Sequence, residues 1–159
     1  MRGMEIREAE AEDAAAACEV MRRSIVELCA GDHRNDPAVI ERWLANKTPE
    51  IVAPWIADAE SSLLVAVEGG AILAVGSVTN SGEITLNYVS PDARFRGVSR
   101  ALLRRLEARA AERGNTSCWL KSTETARRFY LALSYREIGP PDRKWGTTGG
   151  YLMSRELQP

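Results

Sequence analysis

The hydrophobic positions change period several times along the chain, and each change predicts an element. "MEIRE", residues 4–8, alternates as a short strand does. The apolar positions Ala14, Ala17, Cys18, Met21, Ile25 and Leu28 then recur three and four apart, which predicts a helix with Asp13 as its N-cap. After the polar stretch "AGDHRND", Asp36 before Pro37 predicts a second cap and first-turn proline. The helix it opens runs through Ile40, Trp43 and Leu44, so two helices are expected before the next strand. "SSLLVAV" and "AILAVGSV" read as strands joined at "EGG". "NSG" then turns the chain into "EITLNYV", where Ile84, Leu86 and Tyr88 alternate with Glu83, Thr85, Asn87 and Val89, giving an antiparallel meander. From Gly97, the residues Val98, Ala101, Leu102, Leu106 and Ala110 share one helical face that ends at "RGN". "SCWLK" is the next strand, residues 125–133 a short helix, and "YREI" and "GYLMSREL" the closing strands. A strand, turn, helix and strand in succession predict a crossover to a parallel neighbour.

Composition narrows the class. The 159 residues, 45% of them apolar, suit one domain over residues 1–159. A formal net charge of -1 argues against a surface built to track nucleic acid or anionic membrane. The positive charge is instead local: between Arg94 and Arg113 stand seven arginines, against only Glu107 and Glu112. Cys18, Cys29 and Cys118 form no CxxC pair and His33 is the single histidine, so neither a metal site nor a disulfide framework is expected. The N-terminal "MRGMEIREAEAED" lacks the apolar core of a secretory signal, and no apolar run approaches the roughly 18 residues of a membrane span. These features read as a reduced, cytoplasmic protein with no nucleic-acid or membrane partner.

The local charge is concentrated in "SPDARFRGVSRALL", Ser90 to Leu103. Pro91 ends the strand, Gly97 lets the backbone approach a ligand as the helix begins, and the first-turn amides with flanking arginines suit a phosphate or pyrophosphate. On these residues alone, an anion site and a solvated arginine-rich turn both stand. The stretch is neither a Walker loop nor a dinucleotide GxGxxG.

"PDARFRGVSRALL" resembles the acetyl-CoA pyrophosphate loop of the GNAT N-acetyltransferases, [QR]xxGx[GA], with Arg94 first and Gly97 at the glycine. Ser99 stands where glycine or alanine is usual, and Phe95 where many members have another glycine. "TETARRFYLALSYREIG" resembles the family's later NxxAxxFYxxxGF segment, and the order of elements matches over essentially the whole chain. The resemblance implies an α+β fold. Its central, mostly antiparallel sheet has six to seven strands and one splayed parallel pair, flanked by about four helices. It also implies acetyl transfer from acetyl-CoA to a primary amine, small molecule or peptide, by direct attack in a ternary complex and without a metal.

The implied cofactor contacts are Tyr88, Val89, Arg94, Phe95, Arg96, Gly97, Val98, Ser99, Arg100 and Thr123, with the Val89 amide as oxyanion donor. Thr123 replaces the family's usual asparagine, and Tyr135 its phenylalanine. Tyr130 falls on the motif tyrosine that protonates the leaving sulfur, and Glu83 on a position where some members place a base. Asp32, His33, Trp43 and Trp145 are candidates for the acceptor pocket, where acidic groups suit a cationic amine. Residue by residue, capping for Asp36, core packing for Trp43 and an exposed loop for His33 are the plainer readings. A silent acyl-CoA sensor is the alternative to an enzyme, and a DNA-binding helix is a weaker third. An exposed C-terminal strand, "GYLMSREL", offers an edge for a homodimer.

Overall fold

The computed structural model of the chain describes residues 3–141 and 150–157. The first sheet follows from alternation and tight turns. β1 (Met4–Glu8), β2 (Ser61–Glu68), β3 (Ala71–Thr79) and β4 (Ile84–Val89) lie in that order, each antiparallel to its neighbour. Gly69 and Gly70, at φ +57° and +81°, supply the left-handed pair that a two-residue hairpin requires. β2 is buried on both faces. Leu63 and Val65 join a cluster with Ala17 and Met21 of α1 (Ala14–Leu28) and Val52 of α4 (Pro49–Ala57), whereas Leu64 and Ala66 join Leu102 and Leu106 of α5 (Val98–Glu112). The sheet is thus sandwiched between two helical layers.

Four α-helical segments, rather than the expected two, separate β1 from β2: α1, the single turn α2 (Ala30–His33), α3 (Pro37–Leu44) and α4. Asp36 caps α3 as expected, accepting from the Ala38 N–H at 2.9 Å. α4 uses the same device, with Thr48 accepting from the Ile51 N–H at 3.3 Å and Pro49 in the first turn, but Pro54 in its interior disguises it. Asp13 is not the side-chain cap of α1. It closes a short 3-10 turn, where its carboxylate accepts from the Glu10 N–H at 2.7 Å and from Arg7 at 2.8 and 3.1 Å.

The remaining strands form a second antiparallel sheet in the order β5 (Ser117–Ser122), β7 (Tyr151–Glu156), β6 (Arg136–Glu137). The C-terminal strand is therefore an inner one. The edge expected to be free for a second copy is taken by β6, which pairs with Met153 and Ser154. α6 (Arg127–Ala132) starts two residues later than its periodicity predicts. Among the described residues the sheets pair through one parallel bridge, Glu83 to Trp119, where the Trp119 N–H donates to Gly82 O at 3.1 Å. Beyond that bridge β4 and β5 diverge.

A bulge in β4 decides what faces where. Ser77 pairs with Leu86 and Val78 with Ile84, leaving Thr85 without a partner on β3. The expected common face of Ile84, Leu86 and Tyr88 is therefore broken: Ile84 packs in the α5 core, and Leu86 and Tyr88 against the α1 cluster. No helix among the described residues is long and apolar enough to cross a membrane.

Candidate active site

The divergence of β4 from β5 opens a cleft of about 280 Å³. One wall is β4 from Ile84 to Val89, and the other is Leu120 to Thr123 with Thr125, Ala126, Phe129 and Tyr130 beyond it. Arg94 and Ser99 line the α5 end, and Ser24, Leu28, Cys29 and Trp43 the end formed by the first helices. The β4 wall offers backbone groups. The Ser90 N–H donates to Leu73 O at 2.7 Å, which makes Ser90 and Leu73 a hydrogen-bonded pair. Antiparallel pairs alternate, so Val89 opposite Ala74 and Asn87 opposite Gly76 are non-bonded pairs whose N–H and C=O groups turn away from β3. They turn toward the gap that β5 has vacated, ready for a ligand chain or a developing oxyanion.

At the α5 end, Gly97 caps the helix at φ +78°, and a Cβ there would meet nothing within 4 Å. Glycine is favoured by conformation, and the space beside it is open. The first intrahelical bond, from the Ala101 N–H to Gly97 O at 3.1 Å, leaves the amides of Val98, Ser99 and Arg100 without a helical partner. With the helix's positive end they form an anion cradle. Phe95 sits at φ +62° and is 91% exposed, and the Arg94 guanidinium lies 4.5 Å from its ring centroid.

Across the cleft the Tyr130 hydroxyl accepts from Asn87 Nδ2 at 2.8 Å. Burial pushes the Tyr130 phenol up to about 12, and the Asn87 bond acts in the opposite direction. Its ring is braced edge-on by Phe129 and Tyr135, at 5.3 and 5.5 Å between centroids. The Tyr135 hydroxyl donates to buried Glu107 of α5 at 2.7 Å, and Glu107 also accepts from Arg104 at 2.8 Å and Arg155 at 3.2 Å. Among the described residues no Asp or Glu lines the cleft, and no group of three His, Cys, Asp or Glu could hold a metal ion.

Residues 30–149 match the model of the acetyltransferase (GNAT) domain. The chain belongs to the GNAT acetyltransferase family. No curated protein matches its sequence. Solved structures match its fold closely. A GCN5-related N-acetyltransferase from Rhodopseudomonas palustris superposes with a TM-score of 0.86 at 23% identity, over 99% of this chain and 98% of that one. The PaiA N-acetyltransferase of Thermoplasma acidophilum, in complex with coenzyme A, gives 0.85 at 19% identity over 97% and 99%. The ribosomal-protein-S18-alanine N-acetyltransferase of Escherichia coli gives 0.67 at 18% over 98% and 95%.

Within this GNAT fold the candidate residues separate. Tyr88, Val89, Arg94, Ser99, Thr123, Tyr130 and Trp43 line the cleft. Tyr88 accepts from Trp43 Nε1 at 3.1 Å, and Thr123 Oγ1 accepts from the Ala126 N–H at 3.2 Å, so Thr123 closes the turn before α6 as well as forming a wall. The Val98 side chain is core, so only its backbone can meet a ligand. Arg96 is gripped by Glu68 at 2.8 and 3.0 Å, while Arg100 stays exposed on the helix. Glu83 sits at the root of the cleft, beside the bridge to Trp119, and does not line it.

Asp32 and His33 are corrected from pocket wall to interior. Asp32 is fully buried and accepts from the Thr125 N–H at 3.0 Å. His33 is 1% exposed, with Nε2 at 2.8 Å from Ile25 O and Nδ1 accepting from the Asn35 N–H at 3.0 Å. Trp145 lies outside the described residues. Asn87 was missed, and its signal was a lone carboxamide within an otherwise strand-forming run.

Proposed function

We propose that this acetyltransferase moves an acetyl group from acetyl-CoA to a primary amine by direct attack, both substrates being bound together. The observation that carries the reading is the pairing, across one cleft, of outward backbone amides on β4 with the buried Tyr130 phenol on α6. In this reading the pyrophosphate rests on the amides at Gly97 to Arg100, with Arg94 nearest the cleft. The pantetheine arm lies along β4 as an added strand, and the thioester carbonyl accepts from the Val89 N–H. The amine nitrogen bonds to the carbonyl carbon, the C–S bond breaks, and the sulfur takes the Tyr130 proton. A proton lost from the attacking amine restores the phenol through water. Before the attack, an acceptor that arrives as an ammonium gives its first proton to Glu83, at the root of the cleft, through a water chain, since Glu83 does not touch the cleft itself.

The acceptor enters from the side of Trp43, Cys29 and Leu28. Asp32 does not line that side, so direct contact with the acceptor among the described residues is by shape and neutral polar groups, with Trp43 as its aromatic wall.

Calorimetric titration with acetyl-CoA tests the first half of the reading. Binding by the wild type, lost in a folded Gly97→Glu protein, is expected, and binding indifferent to that substitution overturns the cradle. Release of CoA thiol with a panel of primary amines tests the second half. Turnover that falls by about a hundredfold or more in Tyr130→Phe supports the acid role, whereas binding with no turnover on any amine favours the sensor.

A further inference from the structure

We propose that Asn87 is a positioning residue for the transfer, holding the Tyr130 phenol so that its hydrogen points into the cleft at the departing sulfur. The inference rests on the reading of Tyr130 as the acid. Asparagine is a poor strand former, yet Asn87 sits within β4 among Ile84, Thr85, Leu86, Tyr88 and Val89. Its partner across the ladder is Gly76, which has no side chain to engage a carboxamide. The carboxamide instead crosses the gap to α6, where Nδ2 lies 2.8 Å from the Tyr130 hydroxyl oxygen. It thereby joins the two walls of the cleft at the height where β4 turns its backbone amides outward.

A phenol has one hydrogen to give and an oxygen that can accept. With the oxygen accepting from Asn87, the hydrogen must go elsewhere, and among the described residues no side chain or carbonyl receives it. Tyr130 lines the cleft, so the open direction is the cleft itself. The same bond favours the phenolate that forms when the proton leaves, because an N–H donor stabilises the negative oxygen. Asn87 thus aims the proton before the C–S bond breaks and supports the oxygen afterwards, without touching the amine, the thioester or the sulfur.

The test is a double-mutant cycle with hydroxylamine as the acceptor, since it is small and uncharged at neutral pH, and with the uncatalysed reaction subtracted. Asn87→Ala is expected to lower kcat roughly tenfold, the value of one hydrogen bond, with KM for acetyl-CoA unchanged. Asn87→Asp, which offers only acceptors and draws the phenol hydrogen toward itself, lowers kcat further. In a Tyr130→Phe background, Asn87→Ala has no additional effect. Equal losses in both backgrounds would mean that Asn87 acts apart from Tyr130 and overturn the proposal. Full kcat in Tyr130→Phe alone removes the acid role itself, a separately recognisable failure. Asn87→Val, a strand-favouring replacement, serves where alanine disturbs β4.

A readout free of turnover is carbon-13 NMR of the free protein labelled at the tyrosine ζ-carbon, with Tyr130 assigned by its loss in Tyr130→Phe. The Tyr130 signal is expected to move in Asn87→Val. An unmoved signal overturns the bond on which the proposal stands.

Discussion

The Lys47 ammonium is a buried cation with one hydrogen-bond partner among the described residues. It follows α3, is 6% exposed, donates to Asn46 Oδ1 at 2.8 Å, and lies 5.8 Å from the centre of the Tyr88 ring. Desolvation pulls its amine down from 10.5 to about 8. The sign of the linkage follows directly. Below pH 8 the amine is charged in both the folded and the unfolded chain, and its burial costs roughly 3 kcal/mol. Between about pH 8 and 10.5 the folded amine has lost its proton and the unfolded one has not, so this penalty fades as pH rises. Lys47→Met is expected to be more stable than wild type by about 1–3 kcal/mol at pH 7, with the difference closing toward pH 10. Urea unfolding of both proteins at the two pH values measures it. The substitution leaves intact the Lys47 carbonyl, which accepts from Cys18 Sγ at 2.6 Å and Arg22 at 3.1 Å. Phe95 carries a different residue-scale lesson. The sequence presents a phenylalanine where the resemblance leads one to expect glycine, and the backbone there keeps the left-handed φ of +62° that glycine adopts freely. The phenylalanine accommodates that left-handed turn, and the exposed ring is what it adds.

At the scale of elements, contact between α5 and β3 is set by one missing side chain. A Cβ at Gly76 would lie 2.7 Å from Leu106 Cδ1 and 3.1 Å from Leu102 Cδ2, both fully buried. Gly76→Val is expected to lift α5 from the sheet and cost about 2–4 kcal/mol. It also tilts the N-terminus of α5, so affinity for acetyl-CoA falls with stability. Thermal unfolding and calorimetry on one preparation test both, and an unchanged melting temperature would show that the two leucines can repack. The contact was not legible in the sequence, because nothing in "AILAVGSV" says which helix crosses it. Elements held by local rules were legible: both hairpins of the meander, the cap at Asp36, the face of α1 and the glycine at the head of α5. Those depending on distant partners were not. The bulge at Thr85 hides inside a regular alternation, the strand order β5-β7-β6 depends on a crossover, and α4 was lost because Pro54 reads as a breaker. The site divides the same way. The loop and Tyr130 came from motifs, whereas the burial of Asp32 and His33 and the reach of Asn87 required the fold.

At the scale of the whole molecule, two sheets meet at a single bridge and are braced again where Asp32 of α2 accepts from the Thr125 N–H just before α6. Between these points lies the cleft, whose walls Asn87 and Tyr130 also join, so a ligand along β4 that meets Tyr130 adds a further tie. A ligand that binds only the folded state stabilises it by RT ln(1 + [L]/Kd), about 2.7 kcal/mol at one hundred times Kd. For a domain of this size that amounts to about 5–10 °C in melting temperature. Acetyl-CoA is expected to give such a shift, and Gly97→Glu is expected to show none while melting cooperatively on its own. Hydrogen exchange locates the effect. If the ligand ties the sheets, amides of β5 and β7 slow together with those of β4. Slowing confined to β4 and α5 would mean that one sheet holds the cofactor alone and that the ligand does not tie the two together.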